Sequence, residues 1–335
     1  MSQPIIQPQS MGYYTSRLKK FIPREAFRPA HYKLIPMSIH VTLVFIWLYV
    51  IRMFPMWWVI VGLSLLIGVS YACLFLYCHE LTHGTIVRKQ PYRYWAELFF
   101  WSFSGMPPTM WEKIHNLNHH KSMNNYDDPD RRTFKSEKNF WNSVYNVFIY
   151  PNKTLRFSFT VGFAMIFYTS KHLVSVFFPE GKKPAIVTFR PDYTKAEQRK
   201  IFFEFLFVLG IQTLILAILG WKLYLIVSLV SWFIYSTGLI IFIITQHLRN
   251  PNFKDTADPL LTSTSVIVPV FLDRLIDWHS YHVEHHVFPG INFDYYPEIS
   301  KKLQEHFPDR YQRLPFWRAV NEAYSHEVFE EDPLT

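Results

Sequence analysis

Four stretches of this chain are long and apolar enough to cross a bilayer, and they settle its architecture before anything else is read. They run from Pro36 to Ile51 ("PMSIHVTLVFIWLYVI"), Met56 to Cys78, Ile201 to Leu219, and Tyr224 to Thr245. About 20 mostly apolar residues in a helix span the hydrocarbon core. Only "RMFP" separates the first two stretches and only "GWK" the last two, so each pair reads as a tight hairpin. Trp57, Trp58 and Trp221 fall where an interfacial aromatic belt belongs. Half of the residues are hydrophobic, 19% are aromatic and only 18% are charged, too apolar for an average soluble domain. The expected fold is an all-α integral membrane protein with four transmembrane helices in two hairpins.

Charge sets the expected orientation. All but two of the 34 Lys and Arg residues lie outside the hairpin turns, the exceptions being Arg52 and Lys222. By the positive-inside rule the turns face away from the cytoplasm. Both termini, the basic arm 1–35, the middle segment 79–200 and the segment 246–335 are then cytoplasmic. The last two form a helical cap on one membrane domain, 36–335. With these spans, the net charge of +8 points to anionic lipid, not nucleic acid, and the arm is expected at a lipid surface. Tyr92–Pro108 and Phe157–Phe178 are apolar but short or interrupted, and are expected as interfacial helices. Cys73 and Cys78 would face different sides of one helix, so no disulfide framework is expected. The N-terminus has no apolar core or small-residue cleavage site, so no signal peptide is expected there.

Histidine is concentrated in three places. "HELTH" carries His79 and His83, "HNLNHH" carries His115, His119 and His120, and "HVEHH" carries His282, His285 and His286. Spacings of three and four residues place side chains on one helix face. His247, in "ITQHLRN", closes the fourth span and brings the candidates to nine, all mapped to one membrane face. Neutral imidazole suits zinc, copper, nickel and iron. Nine donors exceed what one ion takes and suffice for two, as five and four nitrogens. No cysteine accompanies them, which argues against an iron–sulfur cluster. Two redox metals held by histidine beside a membrane suggest oxygen activation next to a lipid-like substrate. Carboxylates orient such rings, and Glu80, Glu112, Asp127, Asp128, Asp130 and Glu284 are the candidates. His279 stays unassigned. His31, His40, His172, His306 and His326 have no partner at metal spacing and read as ordinary surface or interface residues.

These motifs resemble the three histidine boxes of the membrane fatty acid desaturase and hydroxylase superfamily. The resemblance runs from the first span to about Leu303, and "YHVEHHVFPGINFDYYPEISKKL" is most like acyl-lipid desaturases. It implies a non-haem diiron centre held by the nine histidines at the cytoplasmic mouth of a four-span bundle. It also implies hydrogen abstraction from an unactivated carbon with dioxygen and two electrons, the acyl chain entering a tunnel among the helices. Three features depart from common patterns. Glutamate follows the first histidine of box one, His282 stands where front-end enzymes often carry glutamine, and no His-Pro-Gly-Gly haem signature occurs. A separate electron donor, such as ferredoxin or cytochrome b5, is therefore expected. The basic residues Arg131, Arg132, Lys135, Lys138, Lys182 and Lys183 suit either a docking face for an acidic donor or a lipid-facing basic rim.

The expected function is a fatty acid desaturase acting on an acyl-lipid, acyl-CoA or acyl carrier protein substrate. The alternative keeps the metals and inserts oxygen, as a hydroxylase or ketolase of alkane, carotenoid or sphingolipid substrates. A membrane metal-binding or transport protein is less well supported, because the spans carry few ionisable groups, chiefly Glu204 and His40.

Overall fold

The computed structural model describes residues 7–149, 162–248, 250, 257–325, 327 and 329–331. Four helices within it are long and apolar enough to cross a membrane: His31–Met53, Trp57–Thr82, Lys195–Leu219 and Trp221–His247. In chain order the helices are α1 (Met11–Leu18), α2 (Leu34–Met53), α3 (Trp57–Thr82), α4 (Tyr92–Trp101), α5 (Pro108–Trp111), α6 (His120–Ser122), α7 (Phe140–Ile149), α8 (Ala164–Val176), α9 (Lys195–Leu219) and α10 (Trp221–Ile243). Then come α11 (Pro259–Thr262), β1 (Ser265–Ile267), α12 (Val270–Leu275), α13 (His282–Val287), α14 (Tyr296–His306), β2 (Arg313–Pro315) and α15 (Phe316–Ser325). Among the described residues, strand is confined to the parallel pair β1–β2, with Val266 opposite Leu314. The all-α, four-helix expectation holds.

The helices run past the apolar stretches that announced them. α3 continues to Thr82, which puts His79 in its last turn. α9 begins at Lys195, where the Thr194 hydroxyl accepts from the Glu197 amide and Glu197 answers to the Thr194 amide. Hydropathy falls at the first polar residues, whereas helical hydrogen bonding stops only where a cap or break intervenes. Gly220 is such a break: at φ 73° and ψ 159° it turns the chain between α9 and α10 in a conformation that favours glycine.

α3 and α10 form the central pair. A Cβ on Gly68 would stand 2.6 Å from the Ser231 carbonyl, so only glycine allows this approach. The Ser231 hydroxyl donates to the Ser64 carbonyl at 2.9 Å across the same seam. Toward the site end, Phe75 packs edge-on against Trp101, Trp111 and Tyr235. Trp101 Nε1 donates to the Thr82 hydroxyl at 3.1 Å, and Trp111 stacks on His115 at 4.7 Å. This aromatic knot joins the helix bundle to the histidines.

The structure adds detail to two expectations. Tyr14 and Leu18 of the basic arm are buried, and the Tyr14 hydroxyl donates to Asp258, which also accepts from Arg310 at 3.0 Å. α1 is thus tied to the C-terminal part by one face, while Arg17, Lys19 and Lys20 remain exposed. Three of the six basic residues expected to form a docking face are engaged by carboxylates. Arg131 is buried and grips Glu137 with two bonds of 2.8 Å, Arg132 pairs with Glu330 at 2.9 Å, and Lys135 pairs with Glu327 and Glu331. Neither expected interfacial segment forms a span-length helix among the described residues. The first is broken into α4 and α5, and the second is described only from 162 onward, as α8.

Candidate metal centre

The nine histidines come together in two groups. His79, His83, His115, His120 and His285 each place a ring nitrogen within 4.8 Å of all the others. Their Nε2 atoms stand 2.7 Å apart for His79 and His115, 3.1 Å for His115 and His120, and 3.1 Å for His120 and His285. His119, His247 and His286 form a second set by the same measure. His282 joins it, its Nε2 lying 2.6 Å from that of His247 and 3.0 Å from that of His286. The groups adjoin, with the His120 and His286 rings 4.5 Å apart.

Local backbone explains the division. Glu112–His119 is a π-helix, and a second π segment, Ile244–Leu248, carries His247. In an α-helix, residues five apart point about 140° from one another. The wider π turn narrows that angle, so His115 and His120 converge while His119 turns to the other group. On α13, His282 and His286 face one way and His285 the other group. Just before α13, Asp277 and Trp278 hold φ of 54° and 62°, a tight turn pinned by Lys33, whose ammonium lies 2.5 Å from Asp277 and 2.7 Å from Asp294.

Hydrogen bonds at the far ring nitrogens set which nitrogen faces inward. Glu80 Oε1 accepts from His79 Nδ1 at 3.1 Å and stands 3.0 Å from His285 Nδ1. Asp128 accepts from His119 Nδ1 at 2.9 Å and from the amides of Asn124 and Asp130 at 2.7 and 2.9 Å. The Thr262 carbonyl accepts from His247 Nδ1 at 3.3 Å. Each ring that donates through Nδ1 turns an Nε2 lone pair into its group.

Facing lone pairs at 2.6–3.1 Å repel unless a proton or a metal ion lies between them. Protons are disfavoured: burial, then repulsion from neighbouring rings, pushes His83, His115, His120, His282, His285 and His286 well below the ordinary histidine range. His119 differs. Burial opposes its charge, but Asp128 and Asp130 outweigh that and raise it. His83 Nε2 is buried without a hydrogen-bond partner, which a metal bond would satisfy. Neutral nitrogen donors in sets of five and four, free of thiolate, fit a pair of transition-metal ions.

The proposed orienting carboxylates divide. Glu80 and Asp128 lie against ring nitrogens. Glu284 does not: it sits on the far side of α13 from the rings and accepts from the hydroxyls of Ser265, at 2.5 Å, and Tyr311. Glu112 pairs with Arg93 at 3.3 Å, and Asp127 is exposed, so neither serves the site. Asp130 lies beside His119 and Asp128 and accepts from Tyr168 at 2.8 Å. Several contributors were missed. His279 reaches His79 and Glu80, its ring 4.8 Å from that of His79, and Tyr296 donates to Glu80 and meets His285 Nδ1 at 3.0 Å. The signal for Tyr296 lay in the "DYYPE" segment, whereas the Thr262 carbonyl had none. His172, expected to be an ordinary surface or interface residue, is fully buried.

A cavity opens against the groups. His79, His115, His119, His247, His279 and His282 form one wall, and apolar side chains from α3, α5, α8 and α10 continue it.

The fatty acid desaturase family model matches residues 55–318. The chain belongs to that family. No curated protein matches it in sequence. Family membership and four span-length helices make it a membrane protein of the desaturase and hydroxylase superfamily, an oxidoreductase class whose members depend on metal.

Proposed function

We propose that the protein desaturates fatty acyl chains at a diiron centre, with His79, His83, His115, His120 and His285 holding one iron and His119, His247, His282 and His286 the other. The convergence of nine mostly neutral rings into sets of five and four, beside an apolar-walled cavity, is the observation that supports this reading. Such a centre, when bound, supplies oxidation of an unactivated carbon with dioxygen and two electrons. The chain's own residues do the rest. Glu80, Asp128 and the Thr262 carbonyl orient the rings. Phe75, Trp111, Met165 and Ile240 exclude water and present apolar surface to methylenes. The metal site and both termini face the cytoplasm in this reading, and a separate protein such as ferredoxin or cytochrome b5 delivers electrons.

The deciding experiment is lipid mass spectrometry of a host expressing the protein or its His282→Ala variant, with an electron donor co-supplied. New acyl chains short of two hydrogens, absent with the variant, are expected. Chains or pigments that gain oxygen would move the protein to the hydroxylase or ketolase branch. Terminal tags reporting opposite membrane sides would refute the orientation.

A further inference from the structure

The cavity carries charge as well as histidines in its lining. Arg131, Arg132 and Lys171 line it, together with Asp130, Asn146 and Thr188. Both arginines are engaged by carboxylates, Arg131 by Glu137 and Arg132 by Glu330. Asp130 is engaged by the Tyr168 hydroxyl and faces His119.

Lys171 is different. It sits on α8, is only 7% exposed, and among the described residues has no hydrogen-bond or ion-pair partner. Its ammonium rests 4.3 Å above the Tyr145 ring and 6.0 Å from that of Tyr168, contacts that compensate a buried charge only in part. Burial pulls it down to about 8 against the pull of Asp130, which leaves it largely protonated at neutral pH. Its neighbour His172 is fully buried with both ring nitrogens unpartnered, and Nε2 stands 4.0 Å from Asp130. A cation kept out of water with no carboxylate in ion-pair contact is costly, and lysines are seldom buried so. One that lines the same cavity as six of the histidines, with Met165, Ile240, Ile243 and Ile244 also lining it, has the form of a head-group site for an amphiphile.

We propose that Lys171 receives the anionic head of the acyl substrate, a carboxylate or a phosphate, so that the chain runs from Lys171 along the apolar wall to the histidines. The inference rests on the acyl-chain function proposed above and narrows its substrate class to acyl chains with a negative charge near the head. Methylenes are then counted toward the metals from that charged end.

The test is displacement of radiolabelled palmitate from the purified metal-loaded protein by palmitate, hexadecyl phosphate and methyl palmitate. At least one anion should bind about tenfold or more tighter than the neutral ester. Palmitate ahead of hexadecyl phosphate identifies a free carboxylate, and the reverse order identifies a phosphate. The preference should collapse in Lys171→Met and survive in Lys171→Arg, with metal content unchanged in both. Lys171→Met should also melt no lower than the parent, because it removes a buried charge that no ion pair holds. A neutral ester that binds as tightly as both anions overturns the proposal on the parent protein alone, whether or not the variants fold. So does a preference that persists in Lys171→Met. Metal content of the same preparation separates the two readings. Metal-free protein that still prefers anions sinks the diiron function and keeps the head-group site, while metal-loaded protein without the preference does the opposite.

Discussion

The two histidine groups are built from the same side chain and braced differently. In the five-ring group one carboxylate, Glu80, holds two rings, and Tyr296 backs both Glu80 and His285. In the four-ring group Asp128 holds His119 and a backbone carbonyl holds His247, while Nδ1 of His282 and of His286 is buried without a partner, as is that of His120 in the five-ring group. Orientation by outer carboxylates raises ligand basicity and fixes direction. The five-ring group should therefore hold its metal more firmly, and the four-ring group should be the labile one.

The largest effect that could break this contrast is loss of a ring. His285→Ala and His119→Ala should each lower bound iron from about two per chain to one or fewer, read by elemental analysis. Iron that survives both substitutions would end the metal assignment. Next, Glu80→Gln should weaken metal retention by about 10–100-fold, and more than Asp128→Asn, because Glu80 serves two rings. Chelator challenge measures this, and the reverse order would erase the proposed difference.

Acid sharpens the contrast further. Below the ordinary histidine value of about 6.5 the unfolded chain takes up protons that His83, His115, His120, His282, His285 and His286 refuse when folded. The metal-free protein should then lose stability as pH falls, each ring costing at most about 1.4 kcal/mol per pH unit, with little change above about pH 7. His119 runs the other way, since its raised value adds stability that is present in acid and lost on the alkaline side. Thermal melting of chelated protein between pH 7 and 5 checks this, and a flat profile would contradict it. The smallest effects are controls. Glu284→Gln should cost about 1–3 kcal/mol through its Ser265 and Tyr311 bonds yet leave iron content alone. Glu112→Ala should stay within about 0.5 kcal/mol.

The helix bundle was legible because bilayer thickness sets the length of an apolar run, and each expected span lies inside an observed helix but for Met56, which caps its own. The histidine boxes were legible because nine donors in short clusters need no fine geometry to be noticed. Their allotment by residue was not, since it depends on π turns at Glu112–His119 and Ile244–Leu248 that leave no periodic trace. Glu284 could have been set aside from sequence: on a helix it points away from the face shared by His282, His285 and His286. Lys171 and His172 were hidden because the apolar run around them reads the same whether its polar residues meet solvent or a cavity.

The nine rings are scattered along the chain from residue 79 to residue 286, and neither group closes without α13. A nascent chain that has already inserted both hairpins still lacks His282, His285 and His286. Whatever the cluster holds is therefore acquired late, after the membrane part is laid down. A chain cut short after the fourth span would be a complete set of bilayer helices with nothing at their mouth to retain a metal.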